Sequence, residues 1–329
     1  MAGSEHTITL ESFDSLTSYW LKPRSALKWD CIFVLPPWLE VWWREFGSGR
    51  DLYLCAIKQR GTTIGVAPLL LQEDVACFIG SADVCDCLDF VIAPGNERDF
   101  FNILLDELRQ KGISRLNLRS LRPDSTVLTH LVGVSEDRRY QVTCNVKDVS
   151  LDLDLPSTWE EYLALLNRKQ RHEVRRKLRR LYEIGKVNYR IIEDIEAVPD
   201  AIEFFLKCFR ESKKDKEIFM TTERESFFRS LAKAMAQARL LKIAILELDA
   251  QPVAAIMCFD YHDTVYLYNN GYDPQYSSLS VGLISKLLCI KDSIERGRGK
   301  FDFLKGAEEY KYRLGGKEIP LHDCQIVLT

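Results

Sequence analysis

Two stretches of this chain follow one plan in the same order, and that ordered echo constrains the fold more than any single motif. Leu54-Cys55-Ala56-Ile57 stands 189 positions before Ile243-Ala244-Ile245-Leu246, and Ile64-Gly65-Val66-Ala67 stands 189 before Val253-Ala254-Ala255-Ile256. Farther on, Gly112, Leu116 and Leu118 match Gly297, Phe301 and Phe303 at an offset of 185. In the first half, β-rich runs at 51–58 and 63–71 flank a Gln59-Arg60-Gly61-Thr62 turn. A strand at 75–79, a helix at 100–110 with its apolar stripe at 101, 104, 105 and 108, and a strand at 113–119 follow. In the second half the hairpin is 240–248 and 253–261, then come a strand at 265–270, a helix at 281–295 and a strand at 300–304. An ordered recurrence of hairpin, strand, helix and strand is the mark of a duplicated unit; two unrelated α/β halves are the alternative.

Length agrees with duplication, since 329 residues suit two domains of roughly 150–180 residues. We divide the chain into 1–150 and 151–329. A content of 46% hydrophobic and 28% charged residues supports packed cores, and a net charge of −3 gives no global reason to expect nucleic acid. No apolar run reaches the 18 or so residues that cross a bilayer. The opening MAGSEHTITLESFDSL lacks a charged segment followed by an apolar one, so no secretory signal and a cytoplasmic location are expected. The ten cysteines form no CxxC pair, and Cys85-Asp86-Cys87 has no further ligands at metal-binding spacing. Reduced structural thiols, and no metal, are expected.

Pro36-Pro37 opens a short helix through Trp38, Leu39, Trp42, Trp43 and Phe46, ended by Gly47. Between the halves, 150–156 reads as a strand, and Ser157 with Glu160 reads as a capping box. The helix it starts has an inner face of Leu163, Leu166, Val174, Leu178 and Leu181. Helices at 200–212 and from Thr222 follow. Residues 168–180, RKQRHEVRRKLRR, hold eight Lys or Arg, one Glu and one His. Like charges four apart on a helix repel, so the excess asks for a reason. It is either an anion-facing surface, with Arg175, Arg176 and Arg179 on an anionic acceptor or headgroup, or a solvated face balanced by acids elsewhere.

The most informative stretch is YLYNNGYDPQYSSLSVGLISKLLCIKDSIERG followed by KFDFLKGAEEYKYRLG. With the opening PPWLEVWW, the turn LDFVIAPG, the start STWEEYL and the basic helix, it resembles the CelD-like (cellulose-biosynthesis-type) acetyltransferase branch of the GNAT superfamily, related to Fem-type peptidyl transferases. The resemblance covers nearly everything from Pro36 to Gly315. It implies an α/β (α+β) fold of two tandem GNAT-like units, each a mixed, mainly antiparallel sheet flanked by helices. It also implies acyl transfer from acyl-CoA, most simply acetyl-CoA, without a metal.

Such a site sets a thioester carbonyl beside a strand and a pyrophosphate at a helix N-terminus. The resemblance therefore implies Tyr268, Asn269, Asn270 and Gly271 on the strand, and Ser277, Ser278, Ser280, Val281 and Gly282 in the loop, as donor-binding residues. Ser-Leu-Ser-Val-Gly departs from the usual Gln/Arg-x-x-Gly-x-Gly/Ala signature. Attack on the thioester needs a base and a proton donor, for which Asp273 is the first choice and Tyr310 the second. Lys305, Glu308 and Lys311 are candidate acceptor contacts. The Pro94–Asp99 turn of the first half is acidic where a phosphate would sit, so that unit is read as a packing and acceptor-shaping partner. The expected reaction is direct attack, in a ternary complex, by an amine or hydroxyl of a small molecule, sugar or cell-envelope precursor. The alternatives are a Fem-type aminoacyl or peptidyl transferase, for which the basic helix would meet tRNA, and a non-catalytic binding protein.

Overall fold

The structure is a computed structural model that describes residues 6–81 and 83–328; the first five residues of the opening segment lie outside the described residues. In chain order its elements are β1 (His6–Leu10), α1 (Phe13–Leu21), α2 (Pro36–Phe46), β2 (Asp51–Gln59), β3 (Thr62–Gln72), β4 (Val75–Phe78), β5 (Val91–Ile92), α3 (Glu97–Gln110), β6 (Arg115–Leu121), α4 (Val132–Asp137) and β7 (Gln141–Asp154). They continue with α5 (Trp159–Leu165), α6 (Arg168–Ile184), β8 (Val187–Ile192), α7 (Val198–Ser212), α8 (Lys214–Phe219), α9 (Thr222–Gln237), β9 (Leu241–Leu248), β10 (Gln251–Tyr261), β11 (Thr264–Tyr272), α10 (Val281–Glu295), β12 (Lys300–Lys305), α11 (Glu309–Arg313) and β13 (Lys317–Val327). The chain forms two compact units. The first holds the described residues up to Val149 and from Ile319 onward; the second is Ser150–Glu318. A division at 150/151 alone leaves the last strand with the second unit, whereas its pairing with β6 sets it in the first.

In the first unit β1, β2, β3 and β4 pair antiparallel in turn, β4 pairs parallel with β6, and β6 pairs antiparallel with β13. In the second unit β8, β9, β10 and β11 pair antiparallel in turn, β11 pairs parallel with β12, and β12 pairs antiparallel with the Ser150–Asp154 part of β7. Each unit is thus a mixed, mostly antiparallel sheet flanked by helices. The duplication extends to individual residue pairs. Ile57↔Gly65 becomes Leu246↔Ala254, and the bulge next to it recurs, with Lys58↔Thr63 becoming Glu247↔Pro252. Leu69↔Phe78 becomes Cys258↔Leu267. The parallel pairs Val75↔Arg115 and Cys77↔Asn117 become Thr264↔Lys300 and Tyr266↔Asp302, with the two offsets read from the sequence. Beyond Phe78 the echo ends: β4 stops, while its counterpart β11 runs on to Tyr272.

Local chemistry explains most boundaries. Pro36 and Pro37 occupy the first turn of α2, and its Trp38, Leu39, Val41 and Trp42 are buried. The helix expected from Ser157 starts one residue later: Thr158 caps it, and Glu161 returns the bond to the cap. It does not continue through the basic segment. Leu166 is extended, and a second box, Asn167 with Gln170, starts α6 afresh, so α5 and α6 are separate helices. Likewise Thr221, not Thr222, caps α9. One expectation about thiols fails. Cys144 and Cys324 are joined in a disulfide across neighbouring strands of the first unit, with Cα atoms 4.2 Å apart. A separation of 180 residues hides such a neighbour from any reading of spacing. The other eight cysteines are free. Among the described residues no helix is long and apolar enough to cross a membrane, and no metal-ligand cluster occurs.

Candidate active site

The site begins as a defect in a ladder. β11 and β12 pair only through Thr264↔Lys300, Val265↔Phe301 and Tyr266↔Asp302. Just past that point β11 carries an extra residue, since Cys258 faces Leu267 and Met257 faces Asn269, leaving Tyr268 over. β12 carries one as well: Asp302 faces Asp152 and Leu304 faces Leu151, leaving Phe303 over. A bulge bends its strand and ends regular pairing. Two bulges at one level let β11 and β12 part, so that Leu267–Tyr272 keeps β10 on one edge and, among the described residues, no strand on the other. Asp302 is spent here: its Oδ1 accepts from Leu304 N at 2.8 Å and from Ser150 Oγ at 3.3 Å, which holds the β12 bulge.

The open end of β11 is met by lysines, not by water alone. Asn270 O accepts from Lys216 of α8, and Asn270 Oδ1 accepts from Lys286 Nζ of α10 at 2.9 Å. Lys286 also donates to Gly282 O at 2.6 Å and lies 4.6 Å from the centre of the Tyr310 ring. Only 5% of Lys286 is exposed. Burial first, then the like charges of Lys216, Lys213 and Lys311, outweigh Glu308 and push its pKa down to about 7. Burial and Lys213 lower Lys216 to about 8. Burial, with Glu308 adding to it, holds the Tyr310 phenol well above its usual range, so it carries its proton at neutral pH. Lys286 is thus a buried amine held over the face of the Tyr310 ring, with a pKa brought close to neutrality.

The loop from β11 to α10 is a short 3-10 helix, Pro274–Leu279, capped by Asp273, whose Oδ1 accepts from Gln275 N at 2.9 Å. Asp273 therefore holds the loop. Ser277 and Ser278 are exposed, and Ser280 sits in the left-handed region at φ 59°. Leu283 N and Ile284 N bond to Ser280 O, whereas Val281 N and Gly282 N have no acceptor among the described residues. These two donors open a 15-residue helix whose dipole is positive at this end. Beside them, Lys177 Nζ of the basic helix α6 donates to Ser280 Oγ at 2.6 Å and pairs with Glu173 Oε1 at 3.4 Å. A cation against the positive end of a helix is a poor arrangement by itself and a good one around an anion.

Several residues singled out in the sequence have other employment. Gly271 faces the backbone of α7: a Cβ there would lie 2.3 Å from Phe209 N and 2.4 Å from Cys208 C. It lets strand and helix touch. Gly271→Ala is expected to cost about 2–3 kcal/mol by overpacking against backbone that has no rotamer to change; a denaturation midpoint matching wild type would contradict this. Gly282 gives room to the Tyr272 ring, 2.7 Å from where its Cβ would be. Tyr268 is core, with its ring centre 5.5 Å from that of Phe228 and 5.3 Å from that of Phe259. Lys311 is 2% exposed and its ammonium is fully engaged, by Leu304 O, Lys305 O, Gly306 O and Glu308 Oε2 at 2.6–3.0 Å. It ties the turn after β12, with Glu308, instead of meeting an acceptor. Arg175, Arg176 and Arg179 pair with Glu160, Glu173 and Glu183 at 3.1, 2.8 and 3.6 Å. The balanced-face reading fits these three and also Lys177, which pairs with Glu173 at 3.4 Å; Lys177, which nothing in the sequence singles out, is in addition turned to the α10 entrance.

A scan against family models matches residues 168–312 to the family described as an acetyltransferase (GNAT) domain. That span carries α6 through most of α11, and so the site above apart from the β7 residues that meet the β12 bulge. Among solved structures the chain is similar to FemX, with a TM-score of 0.64, 11% identity and 96% of each chain covered. It is also similar to a conserved protein of unknown function from Bacteroides thetaiotaomicron VPI-5482, with a TM-score of 0.60, 12% identity, and 97% of this chain and 99% of that one covered. The C-terminal domain of a putative lysylphosphatidylglycerol synthetase from Agrobacterium fabrum gives a TM-score of 0.54 at 12% identity over 81% of each chain. No curated protein matches the chain. At these identities the likenesses show the fold.

Proposed function

We propose that the second unit is an acyltransferase whose activated donor, an acyl-CoA and most simply acetyl-CoA, enters where β11 and β12 part. The observation that carries this reading is the coincidence of that parting with the unspent N–H groups of Val281 and Gly282 and the Lys177 ammonium. The parted strand edge offers backbone groups to the donor's amide arm and carbonyl, and the helix entrance with Lys177 takes its diphosphate. The Lys286 amine removes the proton from the attacking amine or hydroxyl, and the Tyr310 phenol supplies one to the departing thiolate. Asp273 keeps the loop between strand and helix in shape. The acceptor is a small molecule, sugar or cell-envelope precursor, and the reaction belongs to the cytoplasm, where acyl-CoA is made and used.

The test is ligand-induced stabilisation of the full chain by CoA. At a hundred times Kd it should raise the unfolding free energy by about 2.7 kcal/mol, and Lys177→Glu should weaken binding by tenfold or more, about 1.4 kcal/mol. No stabilisation by CoA or by acetyl-CoA sinks the donor assignment. A second reading has support of its own: α6 also carries Arg168, Lys169 and Arg180, exposed and without an ion pair among the described residues, which suits a polyanion. In that reading the donor is an aminoacyl-tRNA, as in Fem-type transfer, and charged tRNA would stabilise the chain where CoA does not.

A further inference from the structure

The first unit parts its parallel strands at the same register as the second, and there the parting is an open cavity. Pairing of β4 with β6 ends at Cys77↔Asn117, the counterpart of Tyr266↔Asp302. β6 then bulges, since Leu118 faces Cys324 and Leu121 faces His322, and Ser120 takes a φ of 57°. In the second unit β11 continues past this level; in the first, β4 has already stopped. The space left is a cavity of about 440 Å³, within the roughly 300–1,000 Å³ of small-molecule sites. Its lining combines apolar Phe78 and Leu88 with Asn117, Arg50 and Arg119, and Glu73 is the sole acid among the described residues of the lining.

The two arginines are the telling part. Arg50 lies 5.5 Å from the Trp42 ring centre, and neither it nor Arg119 has a carboxylate partner among the described residues, where the arginines of α6 named above do. Both act on the same thiol: burial raises the Cys77 pKa, and Arg50 and then Arg119 oppose it. Two guanidiniums without a carboxylate partner, lining one part-apolar cavity, suit a planar or tetrahedral anion joined to an apolar group. We infer that the β4–β6 cavity of the first unit binds a small amphiphilic anion, its carboxylate or phosphate held by Arg50 and Arg119 and its apolar part against Phe78 and Leu88. This site is independent of the donor reading for the second unit, and the acidic start of α3 explains why side chains, not a helix entrance, must hold the anion.

Cys77 reports on the cavity directly. In the full chain, alkylation of Cys77 by N-ethylmaleimide, followed by peptide mass spectrometry, is expected to slow about fivefold or more with saturating octyl phosphate or octanoate. Cys31 and Cys87 serve as internal controls. Uncharged octanol should not protect, and which anion protects at lower concentration tells phosphate from carboxylate. Arg119→Gln alone, and Arg50→Gln/Arg119→Gln if it melts like wild type, should weaken protection about tenfold or more. Absence of protection up to about 10 mM, equal protection by octanol, or protection unchanged in the variants would overturn the assignment. If Cys77 resists the reagent throughout, calorimetric titration with the same compounds and variants decides between the same outcomes: anion binding lost in the variants supports the site, and no heat of binding up to about 10 mM overturns it.

Discussion

Lys311→Met is expected to lower the unfolding free energy by about 3–5 kcal/mol, the usual cost of breaking a buried charge pair from one side. The ammonium is buried within a ring of acceptors: three consecutive carbonyls, Leu304, Lys305 and Gly306, and the Glu308 carboxylate. Methionine fills the same space and bonds to none of them. Glu308 can turn to water, since about half of its side chain is exposed, but the carbonyls lie at the end of β12 and lose their common donor. Each buried polar group left unpaired costs about 1–3 kcal/mol. For a domain of this size the midpoint should fall by about 10 °C. A melting curve within 2 °C or so of wild type would show that Lys311 is not the tie we describe.

Lys286→Met is expected to lower acyl transfer by about 10²–10⁴-fold, the ordinary contribution of a positioned general base. Its pH behaviour separates a base from a mere spacer. With a pKa near 7, the Lys286 amine becomes competent as pH rises through 7, so kcat/KM should climb through that value and then level off. Stability moves with the same proton. The folded pKa lies below the unfolded lysine value of about 10.4. The folded chain has therefore lost this proton between about pH 7 and 10 while the unfolded chain keeps it. Wild type should gain stability with pH across that window, relative to Lys286→Met, by about 1.4 kcal/mol per pH unit. Below pH 7 the burial penalty is complete and the variant is at its relative best. A variant that keeps wild-type turnover, or parallel stability–pH curves, would remove Lys286 from the mechanism.

How much of the structure is legible in the sequence depends on what each residue does locally. The hairpins, the two helices that follow them and the duplication are readable because alternation and turn residues act over a few positions, and the offsets of 189 and 185 recur in the observed registers. The break between α5 and α6 is not, since no glycine or proline marks it; its signal is Asn167 with Gln170, a second capping box hidden among charges. At the site, sequence reasoning names Tyr310 and the α10 entrance and misses the buried amine of Lys286. Lys286 has a signal: it interrupts VGLISKLLCI, a run so apolar that a lysine inside it must be buried. Lys216, in KKDKE, has none, because its approach to Asn270 is set by how α8 lies against β11. Gly271 misleads for the same reason, as close contact with α7 leaves no mark in the residues next to it.

In the proposed reading, donor binding is decided at the start of α10. Amide hydrogen exchange at Val281 and Gly282, followed in the full chain with and without saturating CoA, addresses it most directly. Neither N–H has an acceptor among the described residues; that of half-buried Gly282 should exchange quickly in the free protein and that of fully buried Val281 more slowly, and with CoA both should slow by tenfold or more, while Lys177→Glu should raise the CoA needed. CoA binding that leaves both amides exchanging at their free rates, or that protects only residues elsewhere, would contradict the proposal that this helix entrance holds the donor's phosphates.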